Sequence, residues 1–163
     1  MTFGSSENAL LGQLVTETST TQKHQLGQIM RLHDPTYGPG EFIYLQGVAS
    51  TAVNDWVTYN LDDWTTTLLA ANAIGPVAVA HSANVASQYG WYQISGKVIG
   101  SCLTGFADNA QVWITATGGH VDDTSVAGDL VNNAKGASAS VALSGVADFE
   151  ISRPWVDNNS SAT

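Results

Sequence analysis

Few residues in this chain could perform acid–base or metal chemistry, and their spacing matches no known motif. Three of the four histidines, His33, His81 and His120, fall in or beside predicted turns. None belongs to an HExxH motif or to a Cys/His pair, the spacings that commonly bind zinc. Convergence of these distant histidines, as in a cupin-like metalloenzyme, is the remaining route to metal chemistry. We expect solvated turn residues instead, with no cofactor.

Aspartates and the single cysteine are the other candidates for chemistry. Asp122, Asp123 and Asp129 offer hard oxygen ligands in predicted loops, so calcium is the better metal candidate. The alternating ligands and distal glutamate of an EF-hand are absent, however. Cys102 has apolar neighbours and no histidine or basic companion in sequence, which predicts a packed thiol rather than a nucleophile. The glycines match no phosphate-binding fingerprint. The sequence therefore predicts a protein that is not an enzyme.

Composition excludes further classes of function. The chain has 163 residues, a formal net charge of −9 and only 12% charged residues, whereas about one-quarter is typical. The negative charge opposes binding to nucleic acid, because that affinity depends largely on cations that displace counterions. No apolar run reaches the length of a membrane-spanning helix. One cysteine permits no internal disulfide, so folding in a reducing cytoplasm is possible.

Strand patterns dominate the organisation of the chain. Between Trp64 and Ala107 the only formal charge is Lys97, among β-branched and aromatic residues separated by glycines. Short strands separated by turns predict an all-β fold, either a small β-barrel or a β-sandwich. In 89–99, alternation predicts one wet and one dry face, and Pro154 is expected to limit the last strand. The predicted strands are 27–33, 41–47, 56–60, 75–80, 89–99, 112–117, 130–133 and 146–152.

The termini differ in composition from the body. We predict an extended N-terminal arm at 1–26, a β-domain at 27–156 and a flexible tail at 157–163. Ser6 could cap a short helix that places four apolar residues on one face. Such a helix would order on meeting a partner, and the alternative is a disordered terminus. The four apolar residues are Leu10, Leu11, Leu14 and Val15.

Aromatic residues suggest contacts rather than catalysis. Tryptophan buries a large area but requires a partner for its indole N–H, so tryptophans divide between cores and interfaces. We expect core and subunit contacts here, with Trp91, Tyr92 and Trp155 as the subunit-interface candidates. The alternative is a sugar-binding platform, if two tryptophans lie on one exposed face. The five tryptophans are Trp56, Trp64, Trp91, Trp113 and Trp155.

About four-fifths of the chain, from Gly27 to Pro154, resembles the capsid decoration or cement proteins of tailed bacteriophages. The motifs that carry the resemblance are structural turns and strands, so no catalytic residue is transferred from the family. They are Pro35-Thr-Tyr-Gly-Pro-Gly-Glu-Phe-Ile-Tyr-Leu, Gly75-Pro-Val-Ala-Val-Ala, Tyr89-Gly-Trp-Tyr-Gln-Ile, Ala127-Gly-Asp-Leu-Val and Phe149-Glu-Ile.

The resemblance implies a β-rich subunit, often a homotrimer, that binds the outer surface of the expanded major capsid protein lattice and stabilises the head. The protein would be made in the host bacterial cytoplasm and reside on the virion. Its arm would contact the coat protein through Phe3, Leu10, Leu11, Leu14 and Val15. Two alternatives remain: a carbohydrate- or receptor-binding virion module, and a cupin-like metalloenzyme.

Overall fold

The strands of the chain form one open antiparallel sheet, as seen in a computed structural model that describes residues 12–48, 50–141 and 144–159. The all-β prediction is confirmed, but the sheet does not close into a barrel. In chain order the strands are β1 (Ile29–Asp34), β2 (Gly38–Gln46), β3 (Trp56–Tyr59), β4 (Thr66–Leu68), β5 (Gly75–Ala80), β6 (Tyr89–Ser101), β7 (Gln111–Ile114), β8 (Val121–Asp122), β9 (Leu130–Gly136) and β10 (Val146–Val156).

The longest strand, β6, organises the sheet. The strand order is β1-β2-β6-β5-β10-β9-β7-β8, and the β3–β4 hairpin attaches to β5. One side of β6 pairs with β2, while β5 and β10 pair with its first and second halves. Gly96 lies where these partners change, with a φ of 101°. A Cβ at this position would meet the carbonyl oxygen of Pro39, so only glycine fits.

Both faces of the central strands are buried in apolar clusters, as in a β-sandwich. Alternate residues of β2 enter different clusters: Phe42 and Tyr44 pack in one, Ile43 and Leu45 in another. In β5, Val77 and Val79 enter a third cluster, which also contains Trp56, Val98, Phe149 and Ile151. Because strands buried on both faces lack a polar side, their sequences do not alternate cleanly.

Burial on both faces corrects the prediction for 89–99. Trp91 and Gln93, which alternation places on the same face as Ser95 and Lys97, are fully buried. Ser95 and Lys97 on the same side are partly exposed. The predicted alternation therefore holds only for the second half of β6, where the neighbouring strand is β10 rather than β5.

The N-terminal segment, residues 13–26, packs against the body instead of extending from it. Val15 is buried in the cluster that contains Trp91. Gln13 accepts a hydrogen bond from the Tyr44 hydroxyl (2.8 Å) and donates one to the Tyr89 carbonyl oxygen (2.9 Å). No helix forms in residues 12–26. The predicted boundary at 27 thus divides a packed unit, and Ser6, Leu10 and Leu11 lie outside the described residues.

The last strand is longer than predicted. β10 continues through Pro154 to Val156, because a bulge interrupts its pairing with β9 between Ile151 and Trp155. Proline is tolerated at bulges, where no ladder hydrogen bond is lost. Of the predicted tail, 157–159 is described and exposed, and 160–163 lies outside the described residues.

Candidate binding surfaces

A bulge in β10 turns Trp155 toward solvent. Arg153 has a φ of 50°, in the left-handed region that non-glycine residues seldom adopt. Before the bulge Ile151 points into the core, and after it Pro154 and Val156 are buried. Trp155 consequently faces outward and remains 42% exposed. Bulges of this kind redirect a side chain at a local energetic cost.

Trp155 borders a groove of about 480 Å³ between the β3–β4 hairpin and the start of β5, here named the Trp155 groove. Its volume lies within the range typical of small-ligand sites. Two other walls are aliphatic: Leu61, in the β3–β4 turn, is 54% exposed, and Ile74, before β5, is 67% exposed. Thr58 and Thr67 also line it. The groove therefore combines exposed apolar side chains with hydroxyl groups.

The outer edge of β1 is the second candidate surface. Among the described residues β1 pairs only with β2, so it ends the sheet. The Tyr44 amide donates to the Gln28 carbonyl oxygen (2.9 Å), and the register places Arg31 opposite Glu41. Alternate residues of an antiparallel pair share hydrogen bonds, so the backbone groups of Ile29 and Arg31 point away from β2. An edge of this kind can accept another strand.

Most cationic side chains are in ion pairs on the sheet surface. The Glu41 carboxylate forms ion pairs with Arg31 of β1 (N–O distance 3.0 Å) and with Arg153 of β10 (3.1 Å). Two further pairs are Lys97–Asp148 (2.9 Å) and Lys135–Glu150 (3.2 Å). All four pairs include partly exposed side chains, so each adds little stability.

The candidate metal-binding histidines do not converge within the part of the chain that the structure describes. No group of three or more His, Cys, Asp or Glu side chains that could hold a metal exists among the described residues. His33 is exposed on β1, and the His120 ring contacts the Gly118 carbonyl oxygen (3.3 Å). His81 is buried and its Nε2 lies 2.8 Å from Gln93 Oε1. Burial lowers the pKa of His81 to about 4 despite this hydrogen bond.

The aspartates of the calcium hypothesis organise loops. Asp129 is buried and its Oδ1 accepts the Asn72 amide (2.7 Å), while Asp123 Oδ2 accepts the Ala107 amide (2.9 Å). The Cys102 thiol is buried near Asp122 and Asp123. Its burial, and to a smaller extent the negative charge of these two carboxylates, raises its pKa to about 11. The thiol therefore stays protonated at neutral pH and is a poor nucleophile.

Two predicted interface residues are in the core instead. Trp91 and Tyr92 have no exposed area and pack in two different apolar clusters. A side chain without exposed surface offers nothing to a second folded subunit, so only Trp155 remains available. Burial raises the pKa of the Tyr92 hydroxyl to about 12.

The predicted coat-binding arm is only partly described. Val15 is buried against the body and Leu14 is half-buried. Val15 therefore offers no free apolar surface to a partner, in contrast to the amphipathic helix expected from the sequence. Phe3, Leu10 and Leu11 lie outside the described residues.

Sequence reasoning missed the aliphatic walls of the Trp155 groove. The available signal was a large aliphatic residue inside a polar turn: Leu61 lies between Asn60 and Asp62, and Ile74 directly precedes Gly75-Pro76. Turn residues are normally small or polar, so an aliphatic side chain there indicates an exposed contact.

Compared with known proteins, the chain matches no family model, no curated protein and no solved structure. The described residues also include no apolar helix of the length that a membrane crossing requires.

Proposed function

We propose that this chain is a non-catalytic capsid decoration protein, which binds the major capsid protein on the outer surface of a phage head and stabilises the shell. The observation that carries this proposal is the open edge of β1. Strand addition at such an edge supplies affinity through backbone hydrogen bonds, and neighbouring side chains supply specificity.

The side chains of β1 suit a protein partner. Ile29 is 43% exposed at the start of the strand. Arg31 lies two residues further along and forms an ion pair with Glu41. An incoming coat-protein strand would bury Ile29 and pair with the backbone of Arg31. Binding to the assembled lattice alone would stabilise the shell by mass action.

The internal contacts of the reactive side chains agree with a non-catalytic role. The buried histidine, the buried aspartates and the cysteine form internal contacts in the core and loops. The resemblance to decoration proteins in turn and strand motifs supports the more specific assignment to a capsid.

The first test is a backbone experiment on β1. Proline at position 31 removes the outward N–H, whereas alanine removes the same guanidinium and keeps that N–H. We expect Arg31→Pro to reduce binding to purified, expanded heads at least tenfold and Arg31→Ala to bind almost normally. Circular dichroism and thermal unfolding check that both variants are folded. Equal binding by the two variants would exclude strand addition at β1.

The capsid role itself is tested by counting chains in purified virions, scaled to the coat protein by quantitative mass spectrometry. A ratio approaching one chain per coat subunit supports lattice-wide decoration. A few copies per particle would indicate a vertex or tail component, and absence from virions would overturn the proposal.

A second candidate function is a receptor-binding virion module, and the exposed Trp155 groove is the specific observation that favours it.

A further inference from the structure

We propose that the Trp155 groove is a binding site for a neutral saccharide. This inference goes beyond capsid decoration and does not depend on it, because the groove lies between β3–β4 and β5 and the decoration proposal uses β1.

The aromatic wall is the first argument. A sugar ring has an apolar C–H face, which packs on an exposed aromatic face and removes it from water. Trp155 is the tryptophan that the bulge at Arg153 turns outward, while Trp56 and Trp91 are buried. Tyr59 and Pro76 continue the lining beside it. The strained backbone at Arg153 thus exposes the Trp155 indole to the groove.

The hydrogen-bonding groups are the second argument. Thr58 and Thr67 are cross-strand partners in the β3–β4 hairpin, so their side chains lie on one face. Neither hydroxyl hydrogen-bonds to another described residue. Asn60 Oδ1 accepts the Asp62 amide (2.9 Å), which leaves the Asn60 side-chain NH₂ without a partner among the described residues. Hydroxyl and amide groups can both donate and accept, as sugar hydroxyls require.

Charge selects the class of saccharide. No Asp, Glu, Lys, Arg or His lines the groove, according to its described lining residues. Asp62 and Asp63 are exposed beside it in the β3–β4 turn. Hydrogen bonds from the Thr65 amide and hydroxyl lower the pKa of Asp63, so this carboxylate stays ionised near neutral pH. The nearby cation Arg153, whose charge acts on Tyr59, is paired with Glu41 (3.1 Å). The unpaired charges at the rim are therefore negative and repel uronic acids and sulfated sugars, whereas a neutral ligand meets no such barrier.

The test uses an immobilised array of neutral and acidic glycans, followed by titration with the neutral glycan that binds best. Trp155→Ala removes the stacking surface, and the double variant Thr58→Val with Thr67→Val removes two hydroxyls without changing side-chain shape. Val85→Ala is the matched control, because Val85 is 57% exposed outside the groove. Thermal unfolding confirms that each variant is folded.

We expect neutral glycans to bind, Trp155→Ala to weaken the affinity at least tenfold, the threonine double variant to weaken it several-fold and the control to have no effect. Absence of neutral-glycan binding, preference for acidic glycans or full binding by Trp155→Ala would each overturn the proposal. A change of oligomeric state in Trp155→Ala without glycan binding would also overturn it, and would identify the groove as a contact between copies.

Discussion

At the scale of single residues, the buried side chains of Gln93 and His81 form a hydrogen-bonded pair. The Gln93 side-chain nitrogen donates to the carbonyl oxygens of Ser95 (2.9 Å) and Lys97 (3.0 Å). Its Oε1 must then accept, so Nε2 of neutral His81 carries the hydrogen in their 2.8 Å contact. His81, which directly follows β5, therefore donates to Gln93 of β6 and links the two strands.

Burial of His81 predicts a loss of stability in mild acid. Its pKa is about 4 in the folded chain and about 6.5 when unfolded. Between these values only the unfolded state binds the proton, so the free energy of unfolding falls as pH decreases from about 6.5 to 4, by up to about 3 kcal/mol from this group. Urea unfolding of the wild-type protein and of His81→Gln across this pH range measures the contribution of His81 to the free energy of unfolding.

Glutamine at position 81 keeps an N–H donor for Gln93 but does not titrate. The wild-type stability should therefore decrease more steeply with acid than that of His81→Gln, and subtraction of the two curves removes contributions of other groups, including the buried Asp55, whose pKa is raised by burial. Parallel curves would show that the buried histidine does not control acid stability.

At the scale of elements, the N-terminal segment functions as part of the sheet. Val15 packs with Phe42, Tyr44 and Trp91, and the Ser19 amide donates to the Tyr89 carbonyl oxygen (3.0 Å). Deletion of 2–25 would uncover this aromatic cluster. The deletion is therefore a poor test of a coat-binding arm, because it changes stability as well.

A point substitution tests the packing of this segment. Val15 is 1% exposed, and Val15→Ala should reduce the free energy of unfolding by about 1.5–3 kcal/mol through lost burial and a residual cavity. The exposed control Val85→Ala should change it by less than about 0.5 kcal/mol. Equal values in denaturant titrations would mean that the segment is not packed in solution.

At the scale of the whole molecule, acidic side chains outnumber basic ones, fourteen to five. Four of the five Lys and Arg residues pair with acids on the sheet surface. The unpaired excess is acidic, consistent with the net charge of −9. Any self-association must therefore overcome mutual repulsion between chains.

The resemblance to decoration proteins implies that the proposed decoration protein is a homotrimer, which gives a test in solution. Analytical ultracentrifugation at high ionic strength should show a species of three 17.1 kDa chains. Lowering the salt concentration should shift the population toward monomer, because repulsion is then less screened. A monomer at all salt and protein concentrations would remove the homotrimer from the proposal.

Local pattern predicted most of the strands and few of the contacts. β5 begins and ends where the sequence predicted, because Gly75-Pro76 and the following apolar run are sufficient local signals. β4 and β8, of three and two residues, were not predicted, because strands this short depend on their neighbours for pairing. Of the predicted interface residues only Trp155 is exposed, and alternation alone could not separate it from Trp91.

By itself the sequence determined the all-β class, because β-branched and aromatic residues divided by glycine turns favour strands over helices. It also determined the scarcity of reactive groups, since composition does not depend on the fold. Only the tertiary structure decided which side chains are accessible. Burial of β6 on two faces hides Trp91 and Tyr92, and the bulge at Arg153 exposes Trp155. Both outcomes depend on strand partners distant in sequence, whose positions no local pattern encodes.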